Sequence, residues 1–210
     1  LKKKIVIGLL IAVTLLGAFA VTVWNGEKPH KEEEFSPSEF ITSLSLKYPY
    51  TVQAAGSRVG SAYANITVDT ICDIDATVDY NTAPIGYDAT VRFKSIEDKN
   101  FWYKCQLLPN RLIGVYQLEN NLFAGTKQLK DELRKEEMKI YNYIDEHEKA
   151  RIVYRITPVY EKDDDIIVKE LILEACTYDD VGKDFAFKKV IENKQDGFEI
   201  DYKTGEVTEN

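Results

Sequence analysis

The stretch from Thr126 to Glu148 sets the frame for the rest of the chain. Leu129, Leu133, Met138, Ile140, Tyr141 and Ile144 fall on one broad stripe, with charged residues elsewhere. That is the pattern of a helix with one buried face, and such a helix needs an apolar surface to cover. The segments after it supply one. Ala150 to Tyr160 and Ile166 to Cys176 alternate and are rich in β-branched residues, and Phe185 to Ile191 and Phe198 to Tyr202 read as further strands. Asp163-Asp164-Asp165 reads as the tip of a hairpin between the first two. Ahead of the helix, Tyr87 to Phe93 alternates as a half-buried strand, and Phe101-Trp102-Tyr103 leads into Leu107-Leu108. Ala62 to Ile71 fits helix or strand equally, and Arg111 to Leu118 is ambiguous. Strands, one long helix, then several strands predict an α+β domain with a central antiparallel sheet. No internal repeat or second domain boundary is visible.

The N-terminus predicts a compartment. Lys2-Lys3-Lys4 precedes an uncharged apolar run from Ile5 to Trp24. A helix of that length rises about 30 Å, the thickness of a hydrocarbon core. The lysines favour the cytoplasmic side, which places the bulk of the chain outside, with Trp24 at the far interface. The expectation is a single-pass membrane anchor; Ala18-Phe19-Ala20 also resembles a signal-peptidase site, whose cleavage would release a secreted protein. Asn25 to Ser38 carries Pro29, Pro37 and the run Glu32-Glu33-Glu34, the composition of a stalk, and Ser36-Pro37-Ser38-Glu39 can start a short helix. The expected organisation is therefore 1–24 anchor or signal segment, 25–50 stalk and lead-in, and 51–210 folded domain.

Charge and cysteine usage narrow the function. The three leader lysines belong to 27 basic residues set against 35 acidic ones, so the chain beyond the leader is net −11. Such a surface opposes non-specific nucleic-acid binding unless basic residues cluster locally. Cys72, Cys105 and Cys176 form no CxxC pair, and the chain has two histidines, which argues against a zinc site. Three free buried thiols, or one disulfide with one free thiol, both fit. Asp163-Asp164-Asp165 reads as a solvated turn, without the spacing of a calcium loop.

From Gly56 onward a series of segments carries a resemblance. Gly56 to Asn65 (GSRVGSAYAN), Pro84-Ile85-Gly86-Tyr87, Tyr103-Lys104-Cys105-Gln106-Leu107-Leu108, Asn121-Leu122-Phe123-Ala124-Gly125-Thr126-Lys127-Gln128-Leu129-Lys130, Val153-Tyr154-Arg155-Ile156-Thr157-Pro158-Val159-Tyr160 and Asp201-Tyr202-Lys203-Thr204-Gly205 occur in order. The series resembles the DNA/RNA non-specific endonucleases, specifically the small secreted or membrane-anchored streptococcal-type DNA-entry nucleases, over about residues 56–205. The resemblance implies a ββα-metal (His-Me finger) fold. It also implies a His general base and an Asn that holds hydrated Mg²⁺ beside the scissile phosphate.

Both chemical positions depart from that pattern. The base position matches Gln106, whose amide cannot take a proton at neutral pH. The metal-Asn position matches Lys130, whose ammonium has donors only and repels a cation. The Arg before the Cys is matched by Lys104, which loses bidentate phosphate recognition. Asn121 and Glu137 match residues of the resembled motif. His30 lies in the stalk and His147 in a polar turn, so neither replaces the base. The reading is a nuclease-like protein that has lost its general base and metal ligand and acts by binding nucleic acid or a protein partner, with no metal required. Two alternatives are an active Mg²⁺-dependent endonuclease with a base supplied from elsewhere, and a surface module without nucleic-acid contact. No small-molecule substrate is indicated.

Overall fold

The computed structural model describes residues 34–44, 49–55, 58–72, 96–115 and 120–210. The apolar run Ile5–Trp24, the Pro84–Tyr87 motif and the strand expected over Tyr87–Phe93 lie outside the described residues. Among the described residues no helix is long and apolar enough to cross a membrane. The folded unit begins at Phe35, inside the segment expected to be a stalk.

Helix α1, Pro37–Ser43, starts where Pro37 occupies the first turn and needs no amide donor. Its Phe40 is buried and clusters with Val153 and Cys176. Strands β1 (Tyr50–Ala55) and β2 (Arg58–Ile66) follow. β2 resolves the ambiguity over Ala62–Ile71: Ala62, Ala64 and Ile66 are buried while the residues between them are not, the two-residue period of a strand. Next come β3 (Tyr103–Gln106), the one-turn helix α2 (Asn110–Ile113), β4 (Leu122–Gly125) and the long helix α3 (Lys127–Glu146). β5 (Ile152–Val159), β6 (Glu170–Thr177), β7 (Ala186–Glu192), β8 (Phe198–Ile200) and β9 (Val207–Glu209) complete the chain.

Five strands form an antiparallel sheet in the order β1-β2-β5-β6-β7, and β3-β4 and β8-β9 form separate pairs. The sequence expectation started β6 at Ile166; instead Ile166 and Ile167 donate their backbone N–H groups to Tyr202 O, and the ladder begins at Glu170. One face of the sheet meets α3. Leu129, Leu133, Ile140 and Ile144 from the helix join Ala62, Ala64, Ile66, Ile152, Tyr154, Ile156, Leu171, Leu173 and Ala175 in one core cluster. Each fully buried Leu or Ile contributes about 1.5–3 kcal/mol. Tyr154 pairs with Ala64 on one side and Ala175 on the other, so small neighbours make room for its ring. All three cysteines are free thiols; Cys105 and Cys176 are buried and Cys72 partly so.

Candidate functional site

The sequence brings β3, β4 and α3 together as one ββα unit. β3 and β4 pair antiparallel, with Lys104 opposite Ala124, Cys105 opposite Phe123 and Gln106 opposite Leu122. Thr126 then caps α3: its Oγ1 accepts the Leu129 N–H at 3.1 Å. Close approach of strand and helix requires Gly125, where a Cβ would lie 2.7 Å from Cys105 Sγ and 3.0 Å from Leu129 Cδ2. Asn193 locks the junction from outside. Its Oδ1 accepts the Thr126 N–H at 2.9 Å, and its Nδ2 donates to Ala124 O at 3.0 Å and Val168 O at 2.8 Å.

Gln106 ends β3, and its Nε2 donates to Asn110 Oδ1 at 3.1 Å. Asn110 is buried, and its Nδ2 has no hydrogen-bond partner among the described residues. Lys104 lies two residues before Gln106 on the same side of the strand. Lys130 is in the first turn of α3, with its Nζ 5.1 Å from the centre of the exposed Tyr103 ring. Glu137 lies about two turns further along. Burial of its carboxyl pushes its pKa up to about 7, against the pull of Arg134 and Arg111. The Cys105 thiol is pushed up to about 12, by burial first, with Lys130 pulling it back and Glu137 raising it further. Cys105 is therefore a neutral thiol at ordinary pH and offers no nucleophile.

Asn121 has a different duty from the others. It is buried; its Nδ2 donates to Leu108 O and its Oδ1 accepts the Leu108 N–H, each at 2.9 Å, so both amide atoms bracket one backbone residue of the loop after β3. His147 caps the far end of α3, its ring stacked on Tyr143 with centres 4.3 Å apart. The structure thus brings Lys104, Gln106, Lys130 and Glu137 into one ββα unit and gives Asn121 a bracing position. Asn110, Arg111 and Arg134 join this group without having been singled out in the sequence; Arg111 follows the Leu-Leu-Pro-Asn turn, the one local signal that a side chain returns towards the helix.

Two of these residues are poor ligands for a divalent cation. Lys130 has no lone pair to give, Asn121's amide is committed to Leu108, and among the described residues no three His, Cys, Asp or Glu side chains come together as a metal site.

No protein-family model matches the chain, and no curated protein matches it. Solved structures do. NucA from Streptococcus agalactiae with a magnesium ion bound aligns at a TM-score of 0.61 and 23% identity, covering 80% of this chain and 82% of that one. Sda1 nuclease with a bound zinc ion aligns at 0.59 and 21% identity, covering 77% and 81%. An extracellular endonuclease aligns at 0.56 and 14% identity, covering 83% and 94%. This chain has the fold of the streptococcal nucleases.

Proposed function

We propose that this chain is an extracytoplasmic, membrane-tethered protein of nuclease fold that does not cleave and acts by binding, with nucleic acid as its first partner. The observation that carries the reading is Gln106. It ends β3 hydrogen-bonded to Asn110, where the resembled nucleases place a histidine base, and an amide cannot accept the proton of an attacking water. Lys130 in the first turn of α3 supports the same conclusion, since it puts a fixed positive charge where a metal ligand is expected. Lys104 and Lys130 belong to the ββα unit, and Arg111 and Arg134 both act on Glu137 within it, so basic residues are present there in an otherwise acidic chain, which suits contact with phosphates. Ile5–Trp24 would tether the domain, and the extracellular character of similar structures supports placement outside the cytoplasm.

The test is plasmid cleavage by the full chain in detergent with Mg²⁺ or Mn²⁺, beside a Gln106→His, Lys130→Asn double variant. The native chain is expected to leave the plasmid intact and the double variant to nick it. The native chain should also retain oligonucleotides with an affinity that falls as salt rises. Cleavage by the native chain refutes the reading. Absence of oligonucleotide binding at low salt moves the partner to a protein.

One observation favours a second reading. Glu137 has a pKa of about 7, matched to general acid–base work near neutral pH. An active nuclease that used it would lose cleavage in Glu137→Gln and show a rate rising with pH through about 7 in the native chain.

A further inference from the structure

The face of the five-stranded sheet turned away from α3 carries a second site, unrelated to the ββα unit. α1 covers one end of this face through Phe40, and the site lies beside the end of that helix. There a groove of about 560 Å³ is walled by Ser43 and Leu44 and floored by side chains of β1, β2, β5, β6 and β7. The volume falls within the range of sites that take small ligands.

The floor is ordered by strand register. Tyr63, Arg155, Glu174 and Lys188 are successive cross-strand partners and form one row across four strands. Arg155 and Glu174 are locked together: Nε and Nη2 of Arg155 donate to the same Oε2 at 2.7 and 2.6 Å, and Nη1 donates to Ser43 Oγ at 3.2 Å. Phe40 lies under the guanidinium, 5.0 Å from ring centre to Cζ. Glu174 is 7% exposed, and burying an ion pair gains little stability over apolar packing. The pair does present fixed hydrogen-bonding groups to the groove. No hydrogen bond among the described residues uses Oε1 of Glu174, and one N–H remains on each terminal nitrogen of Arg155. The side chains of Gln53, Tyr63 and Lys188 likewise make no hydrogen bond among the described residues, and Ser61 and Thr157 add hydroxyls 3.4 Å apart.

The mixture of groups decides the ligand class. Arg155 and Glu174 neutralise each other, and the remaining charge, Lys188, is exposed to solvent at the rim, so the floor offers hydrogen-bonding groups and little field of either sign. What remains is a neutral ligand that both donates and accepts at closely spaced positions and has an apolar face for the Tyr63 ring. Vicinal hydroxyls on a pyranose ring have that property: each gives one O–H and accepts at its oxygen, and the ring's C–H face packs on an aromatic side chain. The geometry points to this groove as a binding site for a neutral oligosaccharide.

The test is calorimetric titration of the full-length chain, held in a detergent without a sugar headgroup, with chitotetraose, cellotetraose and maltotetraose. At least one binds with a Kd of about 1 mM or tighter. Tyr63→Ala weakens that binding about tenfold or more, and Gln53→Ala, an exposed change on an edge strand that leaves the melting temperature unmoved, weakens it too. The site is overturned if none of the three binds at about 10 mM, or if binding survives both substitutions. It is also overturned if a short oligodeoxyadenylate occupies the groove in preference to the sugars with the same dependence on Tyr63 and Gln53, because the ligand is then an anion.

Discussion

Removing the Asn193 side chain should loosen the whole ββα unit from the sheet. Asn193 is fully buried and follows β7 directly. Its side chain makes three hydrogen bonds, to Thr126 N, Ala124 O and Val168 O, at 2.8 to 3.0 Å. Two of those partners flank the β4–α3 junction and the third belongs to the segment before β6. At about 1 kcal/mol net for each bond, Asn193→Ala costs about 3 kcal/mol, because a water entering the small cavity replaces some bonds while the remaining partners pay their desolvation. For a unit of this size that lowers the melting temperature by about 6–12 °C. Asn193→Asp keeps the acceptor for Thr126 but sets a carboxylate against two carbonyl oxygens, so it should cost at least as much. Urea denaturation followed by circular dichroism measures both, with an unchanged slope showing that the loss lies in the native state. A change under about 1 kcal/mol in both variants refutes the argument that this residue fastens the helix.

Two other substitutions probe polar groups on α3 and in the core it covers. The pKa of Glu137, raised from 4.5 to about 7, means that the folded chain keeps a proton which the unfolded chain sheds between those values. Its contribution to stability therefore falls as pH rises from about 4.5 to about 7 and levels off above. The full shift corresponds to about 3 kcal/mol, and solvent reaching this partly exposed residue trims it to about 2 kcal/mol, which Glu137→Gln should recover at pH 8. Parallel stability profiles for the two proteins between pH 5 and 8 would refute this. Tyr154 places a fully buried hydroxyl in the core with no hydrogen-bond partner among the described residues. Tyr154→Phe should be neutral or stabilising by up to about 1 kcal/mol, and a loss of that size in thermal denaturation would show that the hydroxyl is bonded.

The parts of the fold that were legible in sequence are those with strong periodicity. The stripe Leu129–Leu133–Ile140–Ile144 identified α3, and alternation in Ile152–Val159 identified β5. β2 stayed ambiguous because Ala62 and Ala64 are small and Ser61 and Asn65 weakly polar, so neither period dominates; the strand is fixed by its ladders to β1 and β5. The start of β6 was placed too early because Ile166, Ile167 and Val168 are β-branched, yet their burial comes from packing near Trp102 and Tyr202 and from the main core rather than from a ladder. The role of Asn193 left no local signal, since all three of its side-chain partners are distant in sequence. Phe35 falls in the stretch whose polar neighbours read as a stalk, but its ring lies 5.4 Å from that of Phe40, in the short helix that follows, and Phe40 packs on Val153.

The positions that keep the nuclease-like motifs and those that depart from them differ in their physical duties. Asn121 brackets Leu108, Gly125 admits Cys105, Thr126 caps α3 and Arg155 is tied to Glu174. The terminal Asp-Tyr-Lys-Thr-Gly is a turn: Asp201 Oδ1 accepts the Lys203 N–H at 2.8 Å, Tyr202 Oη donates to Asn193 O at 3.0 Å, and Gly205, at φ 79°, gives its carbonyl to Trp102 Nε1 at 3.1 Å. Each of these contacts holds backbone in place whether or not any reaction occurs, and losing one costs about 1 kcal/mol or more. Gln106 has a lighter hold on the fold, since its Nε2 donates to the side chain of the neighbouring Asn110 and not to backbone. A chain relieved of catalysis but still required to fold would keep the first group and let Gln106 drift. That division supports the non-cleaving reading, and it is why Gln106→His with Lys130→Asn is expected to be tolerated by a scaffold whose bracing is intact.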